Sequence, residues 1–133
     1  MCAIVEAAVK ARLTAYAPYS KFLVGAAVLD EHGKIHVGCN VENSAYPEGT
    51  CAEAGAIASM AISGARKIME VAVVGAGSGL VTPCGGCRQK IREFAGPDVK
   101  IHVCDETGKV KRTFTLDELL PSSFGPDHLD VTK

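Results

Sequence analysis

Three of the six cysteines stand apart by position. Cys51 opens a stretch rich in alanine and isoleucine that reads as a helix, and Cys84 and Cys87 lie in the first turns of a later one. The two-residue gap between Cys84 and Cys87 puts both sulfurs on one helix face, since side chains three apart are neighbours there. The partial positive charge at a helix N-terminus favours thiolate, the form of cysteine that binds metal. If the two helix starts converge, three sulfurs surround one tetrahedral centre with a vacancy. That is the donor set of a catalytic zinc site, whereas a structural site takes four protein ligands. Glu53, two residues past Cys51, could reach over the metal to the vacant position without ligating. Zinc lowers the pKa of a bound water to about 7. A neighbouring carboxylate can take that proton and deliver it elsewhere, which is general acid–base catalysis.

Blander readings compete. Thr50-Cys51-Ala52-Glu53 is also a capping box, with Glu53 as the reciprocal partner. Cys84 and Cys87 alone could be a redox pair at a helix start after a strand, although such pairs follow the first strand and this one follows the third. Cys2, Cys39 and Cys104 read as buried small apolar groups. His32, His36, His102 and His128 have no helical partnering and read as ordinary surface or half-buried residues. Gly75-Ala76-Gly77-Ser78-Gly79 lacks the spacing, lysine and helix start of a phosphate loop, so it reads as a connector. Lys109 to Arg112 reads as a solvated strand face.

The elements that must position the cysteines follow from periodicity. Val5, Val9 and Leu13, with Ala8 beside them, give an N-terminal helix one apolar stripe, ended by Pro18. Phe22 to Leu29 and Lys34 to Asn40 read as a hairpin across the turn Asp30-Glu31-His32-Gly33. A loop from Val41 to Thr50 leads into the helix from about Cys51 to Ser63. Glu70 to Gly75 is a third strand, apolar throughout as strands covered on both faces are. Thr82 as N-cap and Pro83 at the first helical position start the next helix, which runs to about Ala95. Lys100 to Cys104 and Val110 to Phe114 are further strands. Thr115 to Glu118 is a capping box opening a short helix that stops at Pro121. This order predicts an α/β fold, a three-layer α/β/α sandwich around a mixed sheet of about five strands.

The 133 residues suit one domain, 1–133, and 47% apolar content supports a real core. A net charge of -1 with well-mixed signs argues against a nucleic-acid polymer as partner. No apolar run reaches the roughly 18 residues of a membrane span, and Met1 to Ala17 lacks the features of a signal peptide. Cytoplasm is therefore the default, and there six cysteines point to metal, catalysis or burial rather than disulfides.

Several segments carry a resemblance: Pro18-Tyr19-Ser20-Lys21-Phe22 and its continuation to Ala27, Gly38-Cys39-Asn40-Val41-Glu42-Asn43, Cys51-Ala52-Glu53, Pro83-Cys84-Gly85-Gly86-Cys87-Arg88-Gln89, and Leu119 to Pro126 around Phe124. The third and fourth match the general zinc-deaminase signature, with cysteine in place of histidine as first ligand. Over nearly its whole length the chain resembles the small tetrameric cytidine deaminases. The resemblance implies one zinc per subunit on Cys51, Cys84 and Cys87, and Glu53 as the catalytic proton shuttle. It implies hydrolysis of free cytidine and deoxycytidine to uridines and ammonia, in pyrimidine salvage. Asn40 and Glu42 would hold ribose hydroxyls, Phe22 would pack on the nucleoside, and the Ala52 N–H could bind the pyrimidine carbonyl. Phe124, in a tail over 121–133, would stack on the base in a neighbouring subunit's site of a homotetramer. Many three-cysteine members carry arginine directly after the glutamate, where it offsets thiolate charge. Ala54 stands there in this chain, leaving two helix N-termini and Arg88 as the expected charge compensation. Two alternatives stay open: a deaminase of a nucleoside antibiotic such as blasticidin S, and a non-enzymatic structural zinc module closed by a fourth ligand.

Overall fold

The computed structural model describes residues 1–129. Along the chain it forms α1 (Ala3–Arg12), β1 (Val24–Asp30), β2 (Ile35–Cys39), a 3-10 turn (Tyr46–Glu48), α2 (Ala52–Ile62) and β3 (Ile68–Gly75). These are followed by α3 (Gly85–Phe94), β4 (Lys100–Cys104), β5 (Val110–Thr115), α4 (Leu116–Leu119) and a second 3-10 turn (Pro126–Leu129). The five strands form one sheet in the order β2-β1-β3-β4-β5. All neighbours run antiparallel except β3 and β4, whose parallel pairing requires a crossover, and α3 supplies it.

Strand alternation divides the core in two. Val28, Val71, Val73 and Ile101 face Ala56, Ile57 and Met60 of α2, Ile91 of α3 and Leu116 of α4. The intervening Ala27, Ala72, Val74 and Cys104 face Ile4, Val5 and Ala8 of α1. With α1 on one face and the other helices opposite, the molecule is the predicted α/β/α sandwich.

Two glycines set how closely the helices approach. A Cβ on Gly25 of β1 would stand 2.2 Å from the Ala8 carbonyl oxygen of α1. One on Gly38 of β2 would stand 2.3 Å from the Ala52 oxygen and 2.4 Å from the Ala56 nitrogen of α2. Only hydrogen at these positions lets helix backbone rest on strand backbone.

Several expectations shift. The buried stripe of α1 is Ile4, Val5, Ala8 and Ala11. The helix stops at Arg12, well before Pro18, so Leu13 is 70% exposed. Thr82 and Pro83 do not start α3: Cys84 is its N-cap and Gly85 its first residue. The Thr82 hydroxyl and the Pro83 carbonyl both accept from the Arg88 guanidinium, at 3.0 and 2.7 Å, which keeps them outside the helix. The proposed Thr50–Glu53 capping box is absent, because Cys51 is the N-cap of α2 and Glu53 lies two residues inside. The box at Thr115–Glu118 forms as expected. Cys104 is buried as expected, but Cys2 is exposed and Cys39 half-buried. Lys111 is not simply solvated, since its ammonium donates to the carbonyls of Gly77 and Gly79 and anchors that loop.

Candidate metal centre and active site

Cys51 and Cys84 are both helix N-caps in extended conformation, with ψ of 157° and 167°, and Cys87 lies in the first turn of α3. The Gly38 contact fixes α2 against β2, and the β3–α3 crossover brings the second helix start to the same end of the sheet. The three sulfurs then lie within 4.8 Å of one another, with Cys51 and Cys84 3.7 Å apart. Tetrahedral zinc–thiolate bonds of about 2.3 Å give a sulfur–sulfur edge of roughly 3.8 Å, so the donor set fits zinc. Among the described residues, no histidine or carboxylate joins the three, which speaks against a closed four-ligand module.

The thiols do not titrate alike. Burial raises Cys87 far above the ordinary thiol range, and the adjacent Glu53 adds to this. Burial raises Cys51 as well. For Cys84 burial works in the same direction, but the Cys87 backbone N–H and the neighbouring thiols outweigh it and hold the group below its usual value. Three sulfurs crowded beside a carboxylate are costly to ionise together unless a divalent cation joins them.

Glu53 is 4% exposed. Burial raises its pKa, against opposing pulls from its own backbone N–H, the Cys87 thiol and the charge of Lys90. A desolvated carboxyl beside a metal site is the tuning that proton transfer near neutral pH requires.

A cavity of about 310 Å³ opens over this centre, lined by Cys51, Ala52, Glu53 and Cys84 at one end and by Asn40 and Glu42 at the other. The strand exit that carries Asn40 and Glu42 is stitched on both sides. Tyr16 N donates to the Asn40 carbonyl at 3.0 Å, Glu42 N to the Tyr16 carbonyl at 2.8 Å, and Val41 and Thr50 exchange bonds of 3.0 and 2.9 Å. The Asn40 side chain accepts from Val24 N and donates to the Phe22 carbonyl, both at 2.9 Å. Glu42 accepts from the backbone of Tyr19 and Ser20 and from the Ser20 hydroxyl, and that last bond is the main reason its pKa is lowered. Tyr46, Val81 and Thr82 also line the cavity. Tyr46, in the first 3-10 turn, and Val81 carry no periodicity that marks them as site residues, and Thr82 reads from the sequence as a helix N-cap. A larger, more open cleft of about 570 Å³, between the segments 66–69 and 92–99, holds none of these groups.

Residues 2–103 match the family model described as the cytidine and deoxycytidylate deaminase zinc-binding region. The chain belongs to this deaminase family. It is 45% identical over 120 residues to a cytidine deaminase of Sporosarcina psychrophila, covering 90% of this chain and 88% of that one. It is 38% identical over 122 residues to one of Mycobacterium tuberculosis, covering 92% and 87%. The crystal structure of a Burkholderia pseudomallei cytidine deaminase superimposes with a TM-score of 0.85 at 43% identity, over 92% of this chain and 97% of that one.

The deaminase cavity gathers Cys51, Cys84, Ala52, Glu53, Asn40 and Glu42, Cys87 joins them through the sulfur cluster without lining the cavity, and three other expected site residues lie apart. Phe22, partly exposed, is tied to Asn40 through its carbonyl. Arg88 spends its donors on Pro83, Thr82 and the Leu119 carbonyl, none of them on a sulfur. Phe124 is 57% exposed and stacks on His128 with centroids 5.2 Å apart, outside the lining of its own chain's cavity. The tail that carries it is fastened to α3: Gln89 donates to the Phe124 carbonyl at 2.8 Å, and Arg92 donates to Ser123 and Asp127 at 2.9 and 2.7 Å.

Proposed function

We propose that this chain hydrolyses cytidine and deoxycytidine to the corresponding uridines with release of ammonia, using Glu53 as the proton shuttle. The observation that carries this reading is a buried carboxyl beside three convergent thiols at the end of a nucleoside-sized cavity. Cys51, Cys84 and Cys87 would hold the zinc, which when bound supplies an acidified water. Glu53 takes up that proton and gives it to N3 of the cytosine ring as water adds at C4. It then passes the hydroxyl proton to the 4-amino group, the C4–N bond breaks, and ammonia leaves. The Ala52 N–H, at the first position of α2 and so without an intrahelical acceptor, would bind the pyrimidine carbonyl.

Asn40 has one N–H and one lone pair left after its two backbone bonds, and Glu42 has acceptor capacity left on its carboxylate. These face a ribose diol, or the 3′-hydroxyl that both nucleosides share. Among the described residues no lysine, arginine or histidine lines the cavity, and Glu42 and Glu53 do. A 5′-phosphate would meet carboxylates and no cation, so the free nucleoside is favoured. Phe22 packs against the bound nucleoside. Arg88 serves the site by holding Thr82 and Pro83, the residues that lead into the Cys84 cap.

The tail supports a homotetramer in which Phe124 completes a neighbouring subunit's site: an exposed phenylalanine fastened at the surface is buried by such a partner. The chain is one domain over 1–133 with a tail from 121, of which 130–133 lie outside the described residues. No helix among the described residues is long and apolar enough to cross a membrane, and a cytoplasmic place in pyrimidine salvage agrees with the substrates.

Zinc-replete protein incubated with cytidine, deoxycytidine, cytidine monophosphate and blasticidin S, with ultraviolet absorbance followed, tests the reading. The two nucleosides should turn over and the monophosphate should not. Absence of turnover on both nucleosides overturns the reading, and turnover of blasticidin S alone transfers it to the antibiotic.

A further inference from the structure

Zinc with three thiolates carries a net charge of -1, and an ionised Glu53 adds another beside it. Cys87 and Glu53 of this anionic cluster are buried while Cys51 and Cys84 are exposed, and a neighbouring cation stabilises it. Arg88 is not directed there: as the residue after Cys87 it points round the helix, and its hydrogen bonds go to Pro83, Thr82 and Leu119. Ala54, beside Glu53, offers no charge.

Lys90 is placed differently. It lies three residues after Cys87 and four after Gly86, on the helix face that leads back to the sulfurs. Gly86 has no side chain to obstruct it, and a Cβ there would stand 3.5 Å from the Lys90 ammonium. The side chain therefore lies back along α3 toward the N-terminus, beside the turn that carries Cys84 and Cys87. This is an unfavourable end of a helix for a cation, because the helix dipole is positive there. Among the described residues Lys90 has no ion pair to hold it in place. An anionic centre at the start of α3 explains the orientation.

We propose that Lys90 is the charge-compensating residue of the metal centre, its ammonium offsetting the thiolates and Glu53 and thereby retaining zinc. The inference rests on the assignment of zinc to Cys51, Cys84 and Cys87. Lys90 touches neither substrate nor metal in this account and acts through the electrostatic potential at the sulfurs.

The test is zinc release from loaded protein into excess chromophoric chelator, at about 0.01 M and about 0.5 M ionic strength, where screening of exposed charge differs strongly. At low ionic strength Lys90→Met should release zinc about five- to tenfold faster than wild type, and Lys90→Glu faster still. Lys90→Arg should match wild type, and the differences should narrow at high salt. Lys90 is exposed, so these variants should fold, as circular dichroism melts would verify. Wild-type release from Lys90→Met at low salt overturns the inference, as does a defect that Lys90→Arg shares. A wild-type protein that takes up no zinc overturns the underlying assignment and this inference with it; normal wild-type zinc content with no Lys90 effect overturns the inference alone.

Discussion

Asp30 and Glu53 are both buried carboxyl residues, 2% and 4% exposed, yet they titrate in opposite directions. Asp30 closes the β1–β2 hairpin. It accepts from His36 Nε2 at 2.7 Å and from the backbone of His32 and Lys34 at 2.8 and 3.0 Å, and its pKa falls to about 2, chiefly through the His36 bond. Glu53 has only its own N–H, a thiol and the charge of Lys90 to oppose burial, and its pKa rises. Burial alone therefore does not say what a carboxyl is for. Donors arranged around Asp30 make it a fixed anion that shapes a turn, and their scarcity around Glu53 leaves a group that can gain and lose a proton.

The largest expected effect separates the two by function. Glu53→Gln should lower turnover of cytidine by about 10³-fold or more, with zinc content by elemental analysis unchanged, whereas Asp30→Asn should leave turnover close to wild type. Equal losses would erase the distinction. Stability should reverse the ranking: Asp30→Asn should lower the melting temperature by several degrees near neutral pH, since hydrogen bonds to a charged acceptor are lost. Because the folded pKa of Asp30 lies below the ordinary 3.8, its contribution is full above about pH 4 and is lost as pH falls toward about 2. The melting curves of wild type and Asp30→Asn should converge over that window.

The converse holds for Glu53 in zinc-free protein. Its folded pKa lies above the ordinary 4.5, so ionising it opposes folding increasingly as pH rises past that value. Zinc-free Glu53→Gln should therefore melt a few degrees above zinc-free wild type near neutral pH, and the difference should close below about pH 4.5. The smallest effect is expected for His36→Gln, which removes one of the three donors to Asp30. It should cost less in melting temperature than Asp30→Asn and raise the Asp30 pKa, as carboxyl carbon-13 titration would record.

What could be read before the fold was known depended on how local the cause is. The cysteine spacing and the Thr115–Glu118 cap were legible because neighbours in sequence make those contacts. The start of α3 was misread because Thr82 and Pro83 suit a helix start locally, and a tertiary contact from Arg88 overrides that preference. The α1 stripe was misplaced onto Leu13 because where the helix ends decides which residues face the sheet. Asp30 passed as an ordinary turn residue, since its pairing with His36 needs the hairpin register. The backbone bonds of Asn40 were hidden for the same reason, whereas its neighbourhood with Glu42 at a strand exit was visible.

The glycine at position 38 acts as a mechanical detent. A helix seated backbone-to-backbone at one notch resists sliding along its strand, because the next residues on the same face, His36 and Asn40, carry side chains. The position of Cys51 along the strand is thus discrete, and with it the span to Cys84. In a mutational library selected for activity, position 38 should tolerate almost nothing although it lies outside the cavity lining, and Gly33, with nothing within 4 Å of its Cβ position but a φ of +80°, should admit asparagine or aspartate.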